Sequence, residues 1–201
     1  MSVEQYQTLA APAEAEFKDK GSRFLAFAYP VQTEAEIKSL VQQLREQHHK
    51  ARHCCFAWRL GVDGNRFRAN DDGEPAGSAG RPILGQIDSA EITNVLVIVV
   101  RYFGGTLLGV PGLINAYKTA TALALQNAEK VQEDVCRLLE LSCDYAHLNE
   151  ALRWCKQQQV RILTQDLQQN CRLEISIPLA RYQSGLSALQ QLRAINVKLE
   201  E

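Results

Sequence analysis

Residues Ala69–Tyr117 read ANDDGEPAGSAGRPILGQIDSAEITNVLVIVVRYFGGTLLGVPGLINAY, and the rest of the chain is read outward from them. An acidic loop of small residues comes first, Asp71-Asp72-Gly73-Glu74-Pro75-Ala76-Gly77-Ser78-Ala79-Gly80. An apolar run, Val95–Val100, then ends in Arg101, and a glycine-rich turn leads into a helix. A continuous run of β-branched residues and leucine is the pattern of a strand covered on both faces. From Leu113 to Glu129 a helix is expected, with Ile114, Tyr117, Thr121 and Leu125 along one side. Its Ala116, Ala120, Ala122 and Ala124 are small enough to let it lie close to a sheet.

Upstream, Ala13–Lys18 and Ser22–Val31 read as two strands joined by a turn at Asp19-Lys20-Gly21. Thr33-Glu34-Ala35-Glu36 has the form of a capping box, in which hydroxyl and carboxylate satisfy the free N–H groups of a helix start. Ile37, Leu40, Val41 and Leu44 follow at helical spacing, so a helix to about His48 is expected. Cys54–Leu60 reads as a strand, and Asp63-Gly64 favours a tight turn into a second strand at Arg66–Asn70.

Downstream, a boundary is expected near Val131–Asp134, which divides the chain into domains at 1–132 and 133–201. The second half reads as strand Val135–Cys143, helix Asn149–Gln158, strands Val160–Thr164 and Cys171–Ile177, helix Ala180–Ala194 and strand Ile195–Leu199. Leu173, Ile175 and Ile177 alternate at a period of two. The order βαββαβ is the ferredoxin-like motif, so the fold class is α+β.

Composition limits the function classes. Residues 1–133 carry 14 Lys/Arg against 15 Asp/Glu, and residues 134–201 carry 8 of each, so neither half is a basic nucleic-acid module by bulk charge. Locally, Arg45, Lys50, Arg52, Arg59, Arg66 and Arg68 face only Glu46 and Asp63 between positions 45 and 68. That stretch is either a solvated edge with gatekeeper charges or an RNA-facing basic patch. The start lacks a secretion signal, and no apolar run approaches the ~18 residues of a membrane span, so a cytoplasmic protein is expected. The 6 cysteines contain no CxxC pair, which argues for reduced, mostly buried thiols and against a zinc site.

Three features bear on chemistry. Asp71, Asp72 and Glu74 are close enough in sequence to bind Mg²⁺, yet the same acids would suit the positive end of a helix with Pro75 in its first turn. The second glycine cluster leaves N–H groups for an anion, but Gly105-x₃-Gly109-x₂-Gly112 is neither GxxxxGK[ST] nor GxGxxG. Arg101, flanked by Tyr102 and Phe103, would either grip an anion or pair with the acidic loop. His53 and Cys55 share a strand face, but no catalytic motif accompanies them. The expected binding groove comprises Arg52, His53, Asp71, Asp72, Glu74, Arg101, Tyr102, Gly104 and Gly105, with no catalytic residue, metal or cofactor.

These stretches resemble the IMPACT family. The resemblance is carried by Ala51-Arg52-His53-Cys54, the Asp71–Gly80 loop with Pro82, and Val99-Val100-Arg101-Tyr102-Phe103-Gly104-Gly105-x₂-Leu108-Gly109, with Ser22-Arg23-Phe24 and Leu113–Tyr117 in support. It covers the whole chain, and the bacterial YigZ-like members are nearest in layout. It implies an N-terminal domain similar to the second domain of a small-subunit ribosomal protein, followed by a ferredoxin-like domain similar to one in elongation factor G. Eukaryotic relatives restrain the amino-acid-starvation kinase through an extra N-terminal domain that this sequence does not show, so that role is not expected here. What the resemblance implies is a non-enzymatic factor linked to regulation of translation, with RNA, the ribosome or a regulatory protein as partner. An enzyme acting on a phosphorylated or nucleotide ligand and a protein-interaction module are the alternatives.

Overall fold

The computed structural model describes residues 3–192 and 194–199. The chain forms two compact units, Tyr6–Glu133 and the part from Asp134 onward, which also takes in the residues up to Gln5.

The first unit is built on a five-stranded sheet of β2 (Ala13–Asp19), β3 (Ser22–Pro30), β4 (His53–Leu60), β5 (Arg66–Asn70) and β6 (Val95–Tyr102), in the order β2-β3-β6-β4-β5. Every pairing in it is antiparallel. The apolar run lies in the central strand, and each residue from Val95 to Val100 is fully buried because helices cover both faces. On one face α1 (Glu34–Gln47) sets Ile37, Val41 and Leu44 against Leu96, Ile98 and Val100. On the other, α2 (Gly80–Ser89) and α3 (Gly109–Asn127) pack on Val95, Val97 and Val99. Ala26, Ala57, Ala116, Ala120 and Ala124 are fully buried on this second side, where small side chains let α3 sit close to the strands. An antiparallel sheet often leaves one face to water; this one does not.

Local chemistry explains the boundaries. Lys20 and Gly21 both have positive φ, 44° and 80°, as a two-residue hairpin turn requires. Thr33 caps α1 by accepting from the Glu36 amide, while the Glu36 carboxylate accepts from Gln32, one residue before the cap. α3 begins at Gly109 rather than Leu113, with Pro111 in its first turn, where a missing N–H costs nothing.

Three elements depart from the sequence reading. Pro75 does not start a helix: Ser78 closes a turn onto the Pro75 carbonyl, and α2 starts five residues later. β1 (Gln5–Leu9) and β7 (Lys130–Asp134) pair as a two-stranded sheet, and neither was read as a strand from the sequence. Neither has the apolar alternation that would have marked it.

The second unit contains β8 (Cys136–Asp144), α4 (Leu148–Gln157), β9 (Arg161–Leu167), β10 (Asn170–Pro178), α5 (Leu179–Gln190) and β11 (Asn196–Leu199). A single 3₁₀ turn at Tyr145–His147 precedes α4. The sheet order β11-β8-β10-β9 with these helices is the ferredoxin-like βαββαβ arrangement. α5 stops at Gln190, four residues short of the expected end; of the remainder, Arg193 lies outside the described residues. The core joins Leu139, Leu141, Leu173, Ile175 and Ile177 of the strands to Ala151, Trp154, Tyr182 and Leu189 of the helices.

Candidate functional site

The sheet register brings the site together. Across β3, β6 and β4, Phe24 stands opposite Arg101 and Arg101 opposite His53, all on the face covered by α2 and α3. Arg101 continues the Val95, Val97, Val99 side of β6, so its guanidinium enters a covered space and is only 6% exposed. A buried cation requires a partner. Glu74, also buried, supplies it: its Oε1 accepts from Arg101 Nη1 at 2.7 Å and from the Tyr117 hydroxyl at 2.8 Å. The guanidinium also lies 5.6 Å from the ring centres of both Phe24 and Phe103. Its Nε is buried without a hydrogen-bond partner.

The other two acids of the loop are likewise engaged. Asp71 accepts from the amides of Gly77, Ala79 and Gly80 at 2.8–3.0 Å, which organises the loop and caps α2, whose own N-cap residue Ala79 offers no side-chain acceptor. Burial of Asp71 works against ionisation, but these amide donors outweigh it and hold the carboxyl below its ordinary range. Asp72 accepts from Arg45 at 2.6 Å and from the Cys54 amide at 2.7 Å. All three carboxylates therefore serve the loop, and among the described residues no cluster of three His, Cys, Asp or Glu could hold a metal ion.

His53 and Cys55 do not form a nucleophile pair. His53 Nδ1 donates to the Asp72 carbonyl at 2.8 Å, while the Cys55 thiol donates to the Asp71 carbonyl at 3.0 Å and reaches the Tyr117 hydroxyl at 3.3 Å. Burial pushes the Cys55 thiol and the Tyr117 phenol well above their ordinary values, so both stay neutral. All six cysteines are free, and only Cys136 is exposed.

A cavity of about 430 Å³ opens beside this network, lined by Arg52, His53, Glu74 and Arg101 together with Pro75, Phe103, Leu107, Leu108, Val110 and Leu113. Of the groove residues expected from sequence, Arg52, His53, Glu74 and Arg101 meet here. The remaining five do not line it. Asp71 and Asp72 act within the loop. Tyr102 points to the opposite face of the sheet, where its hydroxyl lies 2.8 Å from His48 Nδ1. Gly104 is a packing residue: a Cβ there would fall 1.9 Å from the Gly21 carbonyl carbon, and its amide donates to Ser22 Oγ. Gly105 has φ 88° and faces open space. The apolar wall was not read from sequence, although Leu107, Leu108 and Val110 in a glycine-rich turn are its visible signal. Leu107 is 82% exposed and Phe103 50%.

Half of the expected basic patch is paired. Arg45 binds Asp72, Arg59 binds Asp88 at 2.5 Å and the Gly64 carbonyl, and Arg66 binds Glu34 at 2.8 Å. Lys50, Arg52 and Arg68 have no ion-pair partner among the described residues.

Comparison with known proteins adds independent findings. Residues 20–125 match the Impact N-terminal domain. The chain is 32% identical over 181 residues to IMPACT family member YigZ of Escherichia coli, covering 89% of each chain. It is 34% identical over 160 residues to an IMPACT family member of Haemophilus influenzae, covering 79% of this chain and 78% of the other. A crystal structure described as a hypothetical protein superposes with a TM-score of 0.78 at 30% identity, covering 98% of both chains.

Proposed function

The chain belongs to the IMPACT family, and from that premise we propose that it is a non-enzymatic cytoplasmic factor linked to regulation of translation, which acts by binding a protein partner through the groove beside Arg101. The translation link rests on the family resemblance. One observation carries the binding mode: every carboxylate of the acidic loop is engaged within the fold, while the apolar wall of the cavity, Leu107 above all, faces solvent. Exposed apolar residues around a concavity mark an interaction site. Among the described residues no helix is long and apolar enough to cross a membrane.

The test is co-sedimentation with purified ribosomes at low salt, alongside a reconstituted translation assay. Wild-type protein is expected to associate and to change translation output, and Leu107→Asp to lose both effects while keeping its fold. Absence of both effects in the wild type would refute the reading. A second reading, direct contact with RNA, is favoured by the unpaired Lys50, Arg52 and Arg68. It predicts association that falls roughly 20- to 40-fold between about 50 and 200 mM salt, the loss that about three phosphate contacts give, whereas an apolar contact is expected to change little over that range.

A further inference from the structure

The groove contains more than an apolar wall. Arg101 Nε is a buried donor with no acceptor, on a residue that lines the cavity. A buried polar group left unpaired costs free energy, and an incoming acceptor would remove that cost. The N-terminus of α3 also borders the cavity through Gly109 and Val110, and no side chain caps it. The first amides of a helix lack intrahelical partners and favour an anion. Arg52, exposed at the rim, adds a cation with no ion-pair partner among the described residues. His53 commits its Nδ1 proton to the Asp72 carbonyl, which leaves Nε2 as the ring's remaining polar atom.

Charge decides the class of ligand. Arg101 is already neutralised by Glu74, so the cavity offers one uncompensated cation. Five apolar side chains, Phe103, Leu107, Leu108, Val110 and Leu113, make up much of its lining. One positive charge beside a large apolar wall fits a singly charged carboxylate with an aliphatic or aromatic neighbour. A phosphate carrying nearly two charges and a polar sugar fits it poorly. A volume of about 430 Å³ lies in the range of small-ligand pockets and has room for a terminal residue with its carboxylate and part of the residue before it.

We infer that this cavity captures the free C-terminus of a partner protein, with an apolar last side chain against Leu107 and Val110 and the α-carboxylate between Arg52, Arg101 Nε and the start of α3. The inference rests on the reading of the groove as a protein-contact surface. Capture of a terminal carboxylate by backbone amides is a known mode of peptide recognition.

The experiment uses the full chain and fluorescein-labelled hexapeptides of glycine and serine ending in leucine or phenylalanine, each made as free acid and as amide. Fluorescence polarisation is expected to show the free acids binding at least about tenfold more tightly than the amides, the size of effect a charge-assisted hydrogen bond gives. Arg52→Ala is expected to erase most of that difference, and Leu107→Asp to abolish binding; both positions are exposed, so the fold is retained. Equal binding of acid and amide would overturn the inference, as would no binding of any peptide up to about 1 mM. Displacement of the peptide by an equimolar 5′-phosphorylated oligonucleotide would overturn it in favour of a nucleic-acid ligand. If ribosome association persists while acid and amide bind alike, the translation-linked reading stands and the terminal-carboxylate site falls.

Discussion

The five-stranded and four-stranded sheets of this protein handle charge in opposite ways. In the first unit β6 is covered on both faces, so its terminal arginine, Arg101, enters the interior and is held by Glu74 and Tyr117. In the second unit β8 and β10 bury only alternate residues; Glu140, Arg172 and Glu174 occupy the face away from the helices and meet water. The same residue types thus have unlike energetic weight. A charge on a one-sided sheet is solvated and contributes little, whereas a charge on a two-sided sheet obliges the fold to supply a partner. The acidic loop, which in sequence resembles a catalytic centre, is in large part the answer to that obligation.

Substitutions can break this contrast. Glu74→Ala leaves the Arg101 cation buried and unpaired and is expected to cost about 3–5 kcal/mol, read as a lowered denaturant midpoint. Replacing both partners, Glu74→Leu with Arg101→Met, is expected to recover most of that loss, because an apolar pair carries no desolvation penalty. If the double variant is as unstable as the single one, the pair has a role beyond mutual neutralisation.

Ile98→Ala on β6 removes a fully buried side chain and is expected to cost about 2–5 kcal/mol. Glu174→Ala on β10 loses only an exposed hydrogen bond with Thr164 and is expected to stay within about 0.5 kcal/mol of wild type. Comparable losses at the two positions would show that the second sheet is covered on both faces in solution.

The smallest expected effect is a pH dependence. Asp71 has a lower pKa folded than unfolded, so its contribution is complete above the ordinary carboxylate value of about 3.9 and is lost as pH falls through the lower folded value. Asp71→Asn is expected to flatten the acid limb of stability below about pH 4. An unchanged acid limb would mean that other carboxylates carry it.

Much of the fold was legible in the chain. The continuous Val95–Val100 run marked a strand covered twice, and Leu173, Ile175 and Ile177 marked one covered once, because side-chain alternation records how many faces a core occupies. The capping box at Thr33 and the order βαββαβ were equally visible. β1 and β7 were not, since neither carries an apolar rhythm and each finds its partner only across more than a hundred residues.

The site was half legible. Arg52, His53, Glu74 and Arg101 were marked by type and neighbourhood, and the structure gathers them around one cavity. Sequence left open whether Arg101 grips a ligand or an internal acid, because both need the same residues. The β3-β6-β4 register settled its Nη1 on Glu74 and left its Nε without a partner. Tyr102 and Gly104 were placed elsewhere by pleat and packing, which act between strands rather than along them. Sequence by itself determined which segments bury and on how many sides, a local property of hydrophobic pattern. Only tertiary structure decided which charges meet and which stay free, because that depends on register between distant strands and on what covers each face.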